Sequence, residues 1–173
     1  MKMANLFSMR LSCLRITVFL FAISSYPVAA DTRVAVLEFE LNDLTLSTRT
    51  PQELERTASI KPLLQSALEK EGDYGMVRVN LDVQTEYDSG FGYLFNHDDV
   101  AADLGKQFGA EYVVIGRVHK PSFLFAYLMA HLVDVTTKTR VGDYIVEIKG
   151  AKEKITNKGI ETLARQIHKT IHP

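Results

Sequence analysis

Residues 111–135 read EYVVIGRVHKPSFLFAYLMAHLVDV. Two runs rich in β-branched and aromatic residues flank the break Lys120-Pro121-Ser122. That composition predicts two long strands folded back on one another, since such side chains suit a pleated, half-buried surface. The second run, Phe123 to Val135, is apolar on both alternating faces, which predicts a strand at the centre of a sheet. With hairpin turns at Pro121-Ser122 and Thr137-Lys138, Tyr112, His131 and Tyr144 stand abreast. Val114, Met129 and Val146 follow, then Gly116, Tyr127 and Ile148, and this register makes that face core. The opposite face carries Leu124, Ala126, Leu128, Ala130 and Leu132, an apolar strip with charged margins. Such a strip is covered either by a helix of the same chain or by a partner protein.

Upstream, Arg33 to Glu40 (RVAVLEFE) alternates as a first strand, followed by a polar-leaning loop from Leu41 to Arg49. Thr50-Pro51-Gln52-Glu53 supplies an N-cap, a proline at the first helical position and a glutamate placed to close a capping box. A helix then runs to about Glu71 and stops at Gly72, with Pro62 expected to kink or split it. Tyr74 to Val79 reads as a short strand, and Asn80 to Asn96 as the least regular stretch. Asp98 is placed to cap a helix whose Val100, Leu104 and Phe108 recur every fourth residue. After the two long strands, Thr136 to Thr139 turns the chain into a strand from Arg140 to Lys149. A final helix from about Glu153 to Ile171 carries Ile160, Leu163, Ala164, Ile167 and Ile171 on one stripe. The order β-α-β-α-β-β-β-α predicts one mixed α/β (α+β) sheet, with two parallel crossovers followed by an antiparallel meander.

Lys2, Arg10 and Arg15 precede an apolar run from Ile16 to Ile23, and Val28-Ala29-Ala30 follows. This is the order of a secretory signal peptide over residues 1–30, with cleavage expected after Ala30 and a single domain over 31–173. The apolar run is shorter than the roughly 20 residues that span a bilayer, so membrane contact is expected only if the leader stays uncleaved. The whole chain has a formal net charge of −1. Losing three basic residues and no acidic one with the leader leaves −4, which argues against nucleic acid as a partner. The only cysteine, Cys13, also lies in the leader, so the mature chain is expected to rely on its core without disulfides or thiolate metal ligands.

Chemistry is sparse. A G-x-S-x-G elbow, a phosphate-cradling glycine loop and an H-E-x-x-H pair are all missing from the sequence, so neither a cofactor nor a metal is expected. Glu38 and Glu40 fall at the end of the first strand, where ligand sites of open α/β sheets lie, but a lone pair there is more often solvent-facing than an acid/base couple. His119 and His131 sit at opposite ends of the hairpin, about 23 Å apart in the register above, and cannot share an ion. His131 reads as a hydrogen-bonded core histidine between two tyrosines, and His168 and His172 as an incidental helical i,i+4 pair. His97-Asp98-Asp99 is explained by the start of a helix. The loop carrying Tyr87, Phe91, Tyr93 and Phe95 among Gly90 and Gly92 is the better candidate for recognition. The strip from Leu124 through Leu128 to Leu132 is the second candidate partner surface.

The segments VAVLEFELNDLTL (34–46), LEKEGDYGMVRV (68–79), LGKQFGAEYVVIGRVHK (104–120) and AHLVDVTTKTRV (130–141) resemble a family of short secreted bacterial proteins labelled only as a domain of unknown function. Members of that family often carry two cysteines just before the second helix, where Tyr93 to Asp98 here has none, so no redox role carries over. More distantly, the pattern is similar to α/β domains of periplasmic envelope-assembly proteins. Examples are the N-terminal domain of the Tol-Pal translocation protein, the curli secretion-channel lipoprotein and the lipoprotein activators of penicillin-binding proteins. That resemblance implies a periplasmic, non-enzymatic accessory or adaptor domain whose partner is another cell-envelope protein. The alternative is a small-molecule or metal-binding enzyme using Glu38, Glu40 and a histidine such as His97 or His119.

Overall fold

The computed structural model describes residues 31–45, 50–149 and 153–173, with the backbone alone for 153–155. The expected leader lies outside the described residues. Six strands form one mixed sheet: β1 (Thr32–Val36), β2 (Glu40–Asp43), β3 (Tyr74–Val77), β4 (Tyr112–Lys120), β5 (Phe125–Asp134) and β6 (Thr139–Lys149). Its order is β3-β1-β4-β5-β6, with β2 also pairing to β4. β1 runs parallel to both β3 and β4, and β4, β5 and β6 form the antiparallel meander. Among the described residues there are five helices: α1 (Pro51–Glu71), α2 (Leu81–Tyr87), α3 (Tyr93–Asn96), α4 (Asp98–Gln107) and α5 (Glu153–Ile171). The mixed α/β class and element order are those expected, with β2, α2 and α3 added in stretches read as loop. Among the described residues, no helix is long and apolar enough to cross a membrane.

Each face of the sheet carries its own core. Ile60, Leu64 and Leu68 of α1 and Ile160, Leu163 and Ile167 of α5 bury Val34, Val114, Leu128, Leu132 and Val146. On the other face, Leu94, Phe95, Ala101 and Leu104 bury Ala35, Leu37, Val113, Ile115 and Val133. Tyr74 and His168 share a hydrogen bond of 2.8 Å that ties β3 to α5. Burial, aided by the nearby Glu71 carboxylate, pushes that phenol up to about 12, so it stays protonated.

The start of α1 is capped as expected, with Thr50 Oγ1 accepting from the Glu53 amide at 3.3 Å. Glu53 does not close the box. Its carboxylate pairs instead with Lys120, which also reaches Asp43 Oδ2 at 3.2 Å. The helix runs unbroken through Pro62, whose ring lies on the exposed side where water can serve the freed carbonyl. α4 begins one residue differently from the expectation, with His97 at its N-cap and Asp98 in the first turn.

The hairpin register differs from the expected one. The β4–β5 connection takes in Pro121 to Leu124, so Tyr112 faces Asp134 and Ile115 faces His131. On β6, Val146 faces Leu128 and Tyr144 faces Ala130. The even-numbered residues of β5 are therefore the ones beneath α1 and α5, while Tyr127, Met129 and His131 turn the other way. Leu128 and Leu132 are wholly buried, which makes them core and removes them from any partner surface.

A second slip matters more. Val36 pairs with Val114, but Glu40 pairs with Arg117, so one extra residue is accommodated over Leu37–Phe39. A one-residue slip exchanges the faces of everything after it. Val34 and Val36 point into the α1/α5 core, whereas Glu40 and Asn42 emerge on the opposite side. Phe39 turns into the α1/α5 core and fills the space beside Gly116, where an added Cβ would lie 2.2 Å from the Phe39 Cε1.

Candidate functional site

Helices α2 to α4 cover only part of the second sheet face. What remains open is built from two cross-strand rows. Glu40, Arg117, Met129 and Ile145 form the first, and Asn42, His119, Tyr127 and Glu147 the second. Between them lies a hollow of about 440 Å³ lined by Asn42, Arg117, His119, Tyr127, Met129 and Ile145. Ile145 is 61% exposed, a large apolar side chain left in solvent at the middle of a regular strand.

The chain segment before α3 forms a rim to this face. Gly92 takes a positive φ of 79°, a conformation that glycine adopts without Cβ strain, and its amide donates to Glu40 Oε1 at 2.7 Å. The other oxygen of Glu40 accepts from Arg117 Nη2 at 3.3 Å. Arg117 in turn lies over the Phe95 ring, 3.8 Å from its centre, and 5.6 Å from that of Phe91. Glu40 is thus a clamp for the loop, held in place by the slip after β1. Glu38 is engaged elsewhere. Its carboxylate pairs with Lys61 at 2.9 Å, and its backbone N–H and C=O are both bonded by the buried Gln84 amide.

The four loop aromatics divide. Phe91 is 60% exposed at the rim, whereas Phe95 is buried in the second core. Tyr93 is half-buried and stacks on His97 at 4.1 Å, and Tyr87 packs against the core while its hydroxyl donates to Gln107 at 2.9 Å. Leu124, 76% exposed, sits with Phe123 at the β4–β5 hairpin tip, away from Leu128 and Leu132.

His131 is buried and hydrogen-bonded as expected, but its partners are not tyrosines. Nδ1 lies 3.1 Å from the Phe95 carbonyl and Nε2 3.0 Å from Arg140 Nη1. Arg140 is also bonded through Nε and Nη2 to Asp98. His119 lies four β5 positions from His131, about 13 Å along the strand, and contacts Asn42 Nδ2 at 3.1 Å. His97 Nδ1 is held by the Tyr93 carbonyl at 2.7 Å. Glu38 and Glu40 thus stand in separate contacts, without a histidine between them. Among the described residues, no group of three or more His, Cys, Asp or Glu comes together to hold a metal ion.

Of the residues lining the hollow, Asn42, Arg117 and Ile145 have no site role in the sequence reading, which takes Met129 for core and His119 only as a histidine for the alternative enzyme. The available signal was the alternation in FAYLMAHL, where alanines at 126 and 130 leave room for a helix to approach while tyrosine, methionine and histidine occupy the other face.

A family model matches residues 32–167, nearly all of the described chain, and carries the description "Protein of unknown function (DUF2380)". The chain belongs to this family, DUF3280. No curated protein matches it. Among solved structures, the DUF3280 chain is similar to the PelC dodecamer from Paraburkholderia phytofirmans, with a TM-score of 0.54 at 14% identity over 81% of this chain and 87% of that one. It is also similar to TolB from Acinetobacter baumannii, with a TM-score of 0.52 at 14% identity over 82% of this chain but 28% of TolB. At such identities the likeness is one of fold. In the DUF3280 chain, the LGKQFGAEYVVIGRVHK segment that carries the family resemblance supplies the last turn of α4, all of β4 and the glycine beside Phe39, so its regularity is architectural.

Proposed function

We propose that this chain is a non-enzymatic accessory protein of the cell envelope, acting in the periplasm, and that it binds another envelope protein through the open sheet face and the Phe91 rim. The observation that carries the reading is the clamp, in which Glu40 and Arg117 hold an exposed Phe91 at the edge of a face that leaves Ile145 in solvent. An aromatic whose neighbouring backbone is anchored, beside a hollow lined by Met129, Tyr127 and Ile145, gives contact area with less backbone to order on binding. The export-type leader and the fold shared with TolB support the envelope setting.

In-cell crosslinking of the wild-type chain, followed by mass spectrometry, is the test. The expected result is one recurrent envelope protein, lost in Phe91→Ala and Ile145→Lys variants that retain wild-type stability. Undiminished capture by both variants would remove this surface from the reading. Since the PelC structure is of a dodecamer, copies of this chain itself must be separated from foreign partners in the crosslinked products.

A further inference from the structure

The sheet ends on opposite sides in unequal strands. β3 closes one edge with four residues, Tyr74–Val77, whereas β6 closes the other with eleven, Thr139–Lys149. Among the described residues no strand lies beyond β6. Among the described residues no turn or loop hydrogen bond uses its backbone either, so its outward N–H and C=O groups have no partner there. Such an edge invites pairing with another chain, and proteins usually blunt it with proline, a very short strand, a bulge, charged side chains or a covering loop. The bulge and the charges that β6 does carry make it selective in what it can pair with. β6 has no proline. Its one irregularity, the shift that leaves Val141 unopposed between Arg140 and Gly142, lies near its start. Gly142 to Lys149 then runs regularly over about 26 Å.

The open-face side chains of this edge have a readable order: Asp143, Ile145, Glu147 and Lys149, all exposed. Asp143 is partly compensated by Arg140 at 3.7 Å, and Glu147 has no cationic partner among the described residues. Continuity with the hollow is direct, because Ile145 and Glu147 face Met129 and Tyr127 across β5.

We propose, resting on the protein-binding reading above, that the partner docks by adding an extended segment antiparallel to β6. Opposite-charge and apolar cross-strand pairing defines its chemistry. Read from its N-terminus at every second residue, the segment is acidic against Lys149, basic against Glu147, apolar against Ile145 and basic against Asp143. A second copy of β6 is a poor occupant in the register centred on Ile145, since that register sets Asp143 opposite Glu147.

The test uses isotope-labelled protein purified from the periplasm and a synthetic peptide. The peptide has glutamate, lysine, valine and lysine at alternate positions, with threonines between. The alternate, outward-pointing amides between Gly142 and Lys149 are expected to exchange about tenfold more slowly at saturating peptide, while those already bonded to β5 change little. A peptide with its edge-facing amides N-methylated is expected to give no protection, and Glu147→Lys to weaken binding about fivefold. Equal binding of the charge-swapped peptide, unchanged β6 exchange, or a homodimer in which those amides are already protected would each overturn strand addition. If β6 does not respond while the Phe91-dependent crosslink persists, only this mode of docking fails. If no envelope protein crosslinks at all, the reading beneath it fails.

Discussion

Arg140 donates from Nη1 to Nε2 of His131 at 3.0 Å. A guanidinium has no acceptor, so this contact fixes the imidazole as the neutral tautomer that donates from Nδ1 to the Phe95 carbonyl. Burial first, and the Arg140 charge second, hold the His131 pKa below the ordinary 6.5, with Asp98 and Asp143 opposing the shift. The unfolded chain therefore binds this proton more readily than the folded one. Stability is complete above pH 6.5 and declines as the pH falls from there towards the depressed value. Urea midpoints measured between pH 7.5 and 5 are expected to drop for the wild type and to change less for His131→Gln. Equal slopes for both would show that His131 does not titrate differently on folding.

The Glu40–Arg117 clamp is a partly buried pair with Arg117 also stacked on Phe95. Removing the cation in Arg117→Gln leaves a carboxylate with the Gly92 amide alone, at an expected cost of about 2–3 kcal/mol. Amides around Gly92 should exchange faster, while Phe91→Ala should stay within about 0.5 kcal/mol of wild type because that ring is in solvent. Phe95→Ala, in the core, should cost about 3–5 kcal/mol. Denaturant titration of the three variants orders them, and a Phe91→Ala loss as large as that of Phe95→Ala would contradict the exposed placement.

Lys120 is buried between Asp43 and Glu53, and it joins the β4 end to both β2 and α1. Burial works against its charge, but the two carboxylates more than compensate and raise its pKa. Burial likewise pushes Asp43 up, yet hydrogen bonds from Thr45 and Lys120 bring its carboxyl below 3.8. The stability owed to Asp43 is thus present above pH 3.8 and lost in stronger acid. Lys120→Met should destabilise by about 3–5 kcal/mol by leaving two buried acids facing each other. Adding Asp43→Asn and Glu53→Gln to it should recover much of the loss, as read from chemical unfolding.

Gly116→Ala brings a methyl group to 2.2 Å from the Phe39 ring. Overpacking of this kind should cost about 1–3 kcal/mol. Combining it with Phe39→Leu should cost less than the sum of the two single changes, and a double-mutant cycle measures that coupling. Strict additivity would mean that the ring moves aside freely.

The strands of the meander and the last helix were legible because their periods are long and uninterrupted. Ile160, Leu163, Ala164 and Ile167 all lie in the core their stripe predicts. Register was not legible, because a turn widened to take in Phe123 and Leu124 has no glycine to mark it. The slip after β1 left no trace either, since LEF is as good a strand sequence as the VAV before it. α2 was hidden by its polarity. Gln84, a residue suited to a loop, is the buried one and binds both backbone groups of Glu38, while Val83 and Tyr87 supply only a thin apolar edge. The site escaped for the same reason, because Glu40 and Asn42 reach the open face only through that slip.

The core between α1 and α5 has a consequence for when the molecule can close. In the chain, the whole meander lies between these two helices, yet they pack on the same sheet face. As the polypeptide emerges from its N-terminus, α1 is available early, but Leu128, Leu132 and Val146 lack half their cover until α5 arrives. A chain interrupted before α5 exposes a continuous apolar sheet face and stays a substrate for chaperones. Delayed closure of this kind keeps a polypeptide threadable, which is the state that passage through a narrow translocation channel requires.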